Sequence, residues 1–327
     1  MLWYGGIIMK SRTIKSIMTL GVCMFALFIY LRYNKDSKVE KNVVSIVDET
    51  TTYRQVVYKD SDNTLIPVMY KVSESTSISE DIFKVFTLMK NPKVTGLYSI
   101  IPTDLTLESC SIENGVLNLN FSSAIADITT YEELRFLEGI AYTFMQYEEV
   151  SGVTLSNNSI QLNSLPTGNI IFNEPLDESL GINNFETSSK DLYKTTNVTI
   201  YYTKNIDGEE YYVPVSKRVS IDEGINGKLN EIIGEVSVSS NVDKASTLNN
   251  IEILDGTYLE DGILVLNLNS EALLDELTVN PEVYDLLILS LKSIENIDVV
   301  KIQVYGVDVN INQSMDVSSI VYNVVKI

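Results

Sequence analysis

The chain has 327 residues and no histidine among them. That absence removes Ser-His-Asp and Cys-His activation of a nucleophile, histidine-ligated metals and histidine proton shuttling. Cysteine is nearly as scarce, with only Cys23 and Cys110. Two thiols cannot complete a four-cysteine zinc or iron–sulfur site. Because Cys23 lies in an apolar N-terminal run, no structural disulfide is expected, and the redox compartment stays open. There is no phosphate-cradling glycine loop and no G-x-S-x-G elbow. Positive charge is also in short supply, with 24 Lys and Arg against 44 Asp and Glu, a net of −20. Seven of those bases crowd into residues 1–41, leaving 17 bases against 42 acids downstream. A body this acidic repels a phosphate backbone, so no nucleic acid is expected as a partner. What remains is an ordinary core-forming composition, 45% hydrophobic and 21% charged, long enough for one large or two ordinary domains.

The N-terminus reads as an envelope anchor. Ser16–Leu31 carries no charge, and it is bracketed by Lys10, Arg12 and Lys15 on one side and Arg32, Lys35 and Lys38 on the other. The run is slightly short of a bilayer span, but Ile14, Tyr30 and Tyr33 extend it and the flanking bases can snorkel. A lipoprotein signal acylated at Cys23 is the alternative. Val22 is large for the position before such a cysteine, however, and the apolar run continues through Met24–Leu31. No cleavage site of the A-x-A kind is evident. The reading is a retained anchor at residues 1–35, with Met1 and Met9 both open as starts, then a polar stalk at 36–52. The two flanks carry nearly equal positive charge, so the positive-inside rule assigns no orientation.

An internal repeat organises the rest. Leu65-Ile66-Pro67-Val68 returns as Tyr212-Val213-Pro214-Val215. Asn114-Gly115-Val116-Leu117 returns as Asp261-Gly262-Ile263-Leu264, and Gly152-Val153-Thr154-Leu155 as Val299-Val300-Lys301-Ile302, all at an offset of 147. Between these landmarks Ile78, Ile82, Val85, Phe86 and Met89 map onto Ile225, Leu229, Ile232, Ile233 and Val236, an amphipathic helix in each copy. Each unit reads as a hairpin of short strands (Gln55–Tyr58 with Thr64–Val72; Val198–Tyr202 with Glu210–Val219), then that helix. Ser77 and Glu80 have capping-box spacing at the first helix start. A second hairpin follows, turning at Asn114-Gly115 or Asp261-Gly262. A second helix (about Tyr131–Tyr147; about Pro281–Ser293) and a closing strand end the unit. The expected class is α+β, two ββαββαβ units, each a small mixed sheet covered by two helices. The units span 53–160 and 197–312, joined by a linker or packing arm at 161–196 and followed by a tail at 313–327.

At these residues the sequence resembles the GerM family of sporulation and spore-germination proteins, built from two tandem GerMN domains. The likeness rests on the Val-Pro-Val strand, the Asn-Gly or Asp-Gly hairpin and the closing Val-x-x-Val-x-Ile/Leu strand. The closing Gln303-Val304-Tyr305-Gly306-Val307 and the inter-domain Glu174-Pro175-Leu176-Asp177-Glu178-Ser179-Leu180-Gly181-Ile182-Asn183 add to it. The resemblance implies a non-enzymatic, extracytoplasmic protein without cofactors that supports assembly of an envelope complex in sporulation or germination. It also implies a ring-building-motif-like fold. Its partners would be envelope membrane proteins of that complex, further copies of itself, and the membrane through the anchor. The body would sit outside the cytoplasm, in the cell envelope or between mother cell and forespore. Many relatives are lipoproteins, and the poor lipobox here departs from them.

Few residues invite a chemical reading. Cys110 falls in an alternating strand and reads as a small buried hydrophobe. Glu132-Glu133 and Glu148-Glu149 flank a helix and read as solvated helix ends rather than an acid–base pair; neither of the first two is repeated in the second unit. Asp60-Ser61-Asp62-Asn63 opens like a calcium loop but lacks its glycine and closing glutamate, so it reads as a hairpin turn. No catalytic, cofactor or metal residue is assigned. Adjacent tyrosines on a strand point to opposite faces, so Tyr201, Tyr202, Tyr211 and Tyr212 are the candidate interaction surface. Through them a peptidoglycan- or carbohydrate-binding module is the competing function, and a wall hydrolase using two carboxylates ranks behind it.

Overall fold

The computed structural model describes residues 45–46, 51–172, 174–184, 194–238, 250–275, 278–309, 315–316 and 320–325. The expected anchor lies outside the described residues, as does the stalk apart from residues 45–46 and 51–52. No helix among the described residues is long and apolar enough to cross a membrane. The described residues belong to one compact unit.

A two-residue strand, β1 (Ser45–Ile46), precedes the first repeat. Its hairpin is β2 (Thr52–Lys59) with β3 (Leu65–Val72), turning on Asp60. The Asp60 carboxylate accepts from the amides of Asp62 and Thr64, both at 2.9 Å, so the candidate calcium run is an Asx-type turn. Helix α1 (Ile78–Lys90) follows. Ser77 caps it by accepting from the Glu80 amide at 3.2 Å, while the Glu80 carboxylate turns back to the Thr76 amide and hydroxyl. Next come β4 (Leu107–Glu113), β5 (Val116–Phe121), α2 (Glu133–Phe144), β6 (Gly152–Asn157) and β7 (Ile160–Gln161). Asn114 and Gly115 take φ of 52° and 82°, the left-handed pair that a tight hairpin needs. Strands β5 and β6 run parallel, with Val116 opposite Gly152.

The second repeat has β8 (Thr195–Ile206), β9 (Glu209–Ser220), α3 (Gly224–Val238), β10 (Tyr258–Glu260), β11 (Ile263–Leu268), α4 (Pro281–Leu291), β12 (Val299–Val304) and β13 (Val307–Asp308). Here β11 and β12 also run parallel, with Ile263 opposite Val299, so both partners have moved by 147. The apolar stripe behaves alike in both copies. Ile82, Val85, Phe86 and Met89 are buried in the first core, and Leu229, Ile232, Ile233 and Val236 in the second. Segments β14 (Met315–Asp316), β15 (Ile320–Val321) and β16 (Val324–Val325) end the chain, pairing with β12, β1 and β3 respectively.

Three expectations change. Each unit holds two sheets rather than one, because the opening hairpin does not join the mixed sheet. In the first unit α1 touches β2 and β4, and α2 touches β2, β3 and β6, so the helices contact both sheets. The second hairpin is long, twelve residues per strand. It turns at Asp207-Gly208 (φ 52° and 86°) where the first copy needs the whole Asp60–Thr64 loop, so pairing begins at once and β8 runs back into the expected linker. Finally, the tail is part of the fold: Ile320, Val321, Tyr322, Asn323 and Val325 are all buried.

The tail and the arm join the two repeats by reciprocal exchange. Asn183, wholly buried at the end of the first repeat's arm, accepts from the Leu65 amide at 2.8 Å. Its Nδ2 donates to the carbonyls of Leu65 (2.7 Å) and Pro214 (2.9 Å). Asn323, in the tail of the second repeat, accepts from the Tyr212 amide at 2.9 Å. It donates to the carbonyls of Tyr212 (2.7 Å) and Pro67 (2.8 Å). Leu65 and Pro67 are the repeat equivalents of Tyr212 and Pro214, so the two sets of bonds are the same set with the repeats swapped. Backbone bonds complete the exchange: the Ser216 amide donates to the Ile182 carbonyl at 2.8 Å, and the Met69 amide to the Asn323 carbonyl at 3.1 Å. Both asparagines sit at positive φ, 50° and 48°, a conformation Asn tolerates better than most residues. Replacing Asn183 by Ala strands one buried amide and two buried carbonyls. The Asn183→Ala chain is expected to lose about 2–4 kcal/mol of unfolding free energy in urea titration. A loss under about 0.5 kcal/mol contradicts this account of the junction.

Candidate functional site

The two hairpins turn their outer edges into one cleft of about 860 Å³, lined from both repeats by β2, β8, α2, α4, the arm and the tail. Exposed strand edges are templates for unwanted pairing and have to be covered. Here side chains from the last turns of α2 and α4 and from the turns that follow them cover these edges. On β2, Gln146 accepts from the Gln55 amide and donates back to the Gln55 carbonyl, both at 2.8 Å. Thr143, one turn earlier, accepts from the Val57 amide at 3.3 Å. On β8, Ser293 accepts from the Thr199 amide and donates to the Thr199 carbonyl, both at 3.2 Å, and Ser290 accepts from the Tyr201 amide at 3.0 Å. Ser290 and Ser293 are the repeat equivalents of Thr143 and Gln146. Thr143 and Ser290 are fully buried polar residues on otherwise apolar helix faces, a signal visible in the sequence once the repeat is aligned.

A chain of phenols crosses between the repeats. Tyr142 on α2 meets Tyr201 on β8 at 2.8 Å, Tyr201 meets Tyr322 at 3.0 Å, and the Tyr322 hydroxyl donates to Gln55 Oε1 at 3.0 Å. Burial holds all three phenols well above their ordinary pKa, so they serve as neutral hydrogen-bonding groups rather than acids. At the far end of the junction Lys204 bonds Asp60, and Asp62 at 3.0 Å. Burial works against its charge, but the two carboxylates outweigh it and raise its pKa.

The candidate tyrosine surface is not on the surface. Tyr201, Tyr211 and Tyr212 are at most 5% exposed. Tyr202 is half-buried and donates to Glu235 on α3 at 2.8 Å. Tyr212 donates to Asp285 on α4 at 2.6 Å, and Tyr211 belongs to the first repeat's core. The second hairpin is covered by its own helices and also by the first repeat, and of the four rings Tyr201 alone lines the cleft. The exposed large hydrophobics lie elsewhere, among them Tyr131, Ile160 and Tyr305.

The carboxylate pairs do not make an acid–base site. Glu133 is buried and accepts from the amides of Asn169 (2.8 Å) and Ile170 (3.0 Å), pinning the arm. Glu132 turns away to the Thr129 hydroxyl at 2.9 Å and Lys59 at 3.5 Å. Glu148 and Glu149 are exposed. Cys110 is half-buried against the first core, and burial raises its thiol pKa, which disfavours a thiolate. Among the described residues no group of three or more Cys, Asp or Glu is placed to hold a metal ion.

Residues 55–162 match the family described as Germane, sporulation and spore germination. The chain is 23% identical over 293 residues to the spore germination protein GerM of Bacillus subtilis strain 168, covering 85% of this chain and 79% of that one. Its fold is similar to the solved tandem GerMN domains of the sporulation protein GerM from Bacillus subtilis. The TM-score is 0.73 at 19% identity, over 84% of this chain and all of that one.

A half-buried carboxylate, Asp285, and a buried one, Glu138, tie pH to stability. Burial pushes the Asp285 carboxyl up from 3.8 to about 6, with the Tyr212 hydroxyl pulling partly the other way. Burial also raises Glu138, offset in part by Arg135. A folded value above the unfolded one means that the folded state holds the proton more tightly. That stabilisation is complete below the unfolded value and is lost as pH rises through about 6. Asp285→Asn keeps an acceptor for Tyr212 and removes the titration. It is expected to flatten the slope of stability between pH 4 and 6 and to add about 1 kcal/mol at pH 7.5. Urea midpoints measured across that range decide it.

Proposed function

We propose that this chain, a two-domain relative of GerM whose residues 55–162 carry the germane domain, acts in sporulation or spore germination. Its part there is that of a non-enzymatic scaffold of the cell envelope. One observation supports the scaffold reading above the others: the two repeats are joined by the reciprocal Asn183 and Asn323 bonds within one compact unit. Such a body suits holding partners at fixed spacing. Glu132 and Glu133 are engaged in structural contacts, Glu148 and Glu149 stand exposed at a helix end, and Cys110 packs against the first core, so none of them lends support to catalysis. The bracketed apolar run at Ser16–Leu31 favours an anchored protein, and the likeness to GerM favours a body outside the cytoplasm. The wall-binding alternative loses the tyrosines that motivated it, since three are buried and the fourth is engaged with α3.

Deleting the coding sequence in the parent organism is expected to lower the yield of heat-resistant spores or to slow their germination, with vegetative growth unchanged. In-cell crosslinking of the tagged chain is expected to capture envelope membrane proteins in sporulating cultures and not in growing ones. Normal spore yield together with normal germination excludes the role. Capture that does not depend on stage excludes the stage-specific scaffold.

A further inference from the structure

The mixed sheet of the first repeat ends on an edge that nothing among the described residues covers. Its order is β4-β5-β6-β7, so β4 has a strand partner on one side only. In an antiparallel ladder, residues alternate between aiming both backbone groups at the partner strand and aiming both away from it. Glu113 and Val116 flank the tight Asn114-Gly115 turn and so face each other as a bonded pair. The alternation then puts Ser111 and Ser109 toward β5, and Cys110 and Ile112 aim their N–H and C=O outward. No hydrogen bond to these outward groups is found among the described residues.

Helix α1 runs beside this edge. Ser79 at its start sits against the Cys110 thiol, and Lys90 at its end donates to the Leu105 carbonyl at 2.9 Å. The helix therefore lies antiparallel to β4. At 3.6 residues per turn Phe83 falls on the same stripe, between those two residues, and it is 38% exposed. Cys110 and Ile112 are half-buried and pack against the first core, so the margin of the sheet on the α1 side is apolar. The second repeat lacks this arrangement. At the offset of 147 Phe83 becomes Asn230, and β10 has three residues where β4 has seven. The counterpart of Leu107–Cys110 turns at Asp255-Gly256, where Gly256 has φ of 95°, and the Thr257 hydroxyl accepts from the Asn267 amide at 2.9 Å. The shared fold thus does not require a long open edge with an exposed phenylalanine beside it.

Charge narrows the occupant. Glu108 and Glu113 are exposed toward the two ends of β4, and Glu108 accepts from Asn120 Nδ2 through one oxygen at 3.3 Å. The bases of α1 do not offset them: Lys84 is held by Glu80 at 3.0 Å and Ser75 at 3.1 Å, and Lys90 by the Leu105 carbonyl. Antiparallel pairing of β4 with β4 of a second copy brings Glu108 of one close to Glu113 of the other, and like charges across a ladder are destabilising.

We propose that the β4 edge binds an extended basic segment of a partner protein, which adds as a further strand with apolar side chains beside Phe83, Cys110 and Ile112 and Lys or Arg on its other face against Glu108 and Glu113. Main-chain bonds supply the affinity, and the alternation of apolar and basic residues supplies the selection. The proposal does not rest on the sporulation reading: a normal deletion phenotype leaves it standing, and loss of peptide binding leaves that reading standing.

The test uses the full chain and fluorescein-labelled (Lys-Val)4 in fluorescence polarisation at physiological salt, where long-range attraction to an acidic body is screened. Two further versions carry backbone N-methyl groups on alternate residues, one on the lysines and one on the valines. Saturable binding of the parent peptide is expected. One N-methylated version is expected to bind at least tenfold more weakly while the other stays near the parent, since only one set faces the edge. The peptide (Lys-Lys-Val-Val)2, of the same charge without the alternation, is expected to bind at least tenfold more weakly, and Phe83→Asn is expected to weaken (Lys-Val)4 several-fold. Amide hydrogen exchange at Cys110 and Ile112 is expected to slow when the peptide is bound. Absence of saturable binding overturns the proposal. So does equal binding of both N-methylated versions, which means that charge alone holds the peptide. Unchanged exchange at Cys110 and Ile112 under saturating peptide places it elsewhere and overturns the proposal too, as does full-strength binding to Phe83→Asn.

Discussion

Two buried carboxamides hold this protein in its shape. A polar group inside a core is tolerated only when its hydrogen bonds are met, and Asn183 and Asn323 each meet three backbone groups drawn from both repeats. Strands β3 and β9 lie side by side but belong to different sheets, and these side chains connect them. The prolines take part in this arrangement. Pro67 and Pro214 have no N–H to leave unpaired at the junction, and each offers its carbonyl to the asparagine that follows the other repeat. Because the arm of the first repeat completes the edge of β9 and the tail of the second completes the edge of β3, neither hairpin is finished without the other.

Everything near the cleft follows from that exchange. With the inner edges joined, the outer edges of β2 and β8 are the ones left to cover, and each repeat covers its own with a pair of polar side chains one helical turn apart. The cover reaches only two residues along each strand.

Some of this was legible in the residues. The offset of 147 carried the repeat and the order of elements, and the structure then pairs β5 with β6 and β11 with β12 in parallel at that same offset. Asn114-Gly115 and Asp261-Gly262 marked their turns because that backbone conformation selects those residue types. The junction was not legible. Asn183 and Asn323 are 140 apart rather than 147, each sits in a short segment without periodicity, and each acts through a strand distant in the chain. The tyrosines misled for a related reason. Alternation correctly separates neighbouring rings, but it carries no information about what covers each face.

The sequence by itself determined the class, the two copies, the turns and the apolar faces, because these rest on periodicity and on local backbone preference. Tertiary structure alone decided that the tail is core, that the tyrosines are inside and that two edges share a cleft. Burial depends on which remote segment arrives to exclude water, and here those segments arrive by crossing from one repeat to the other.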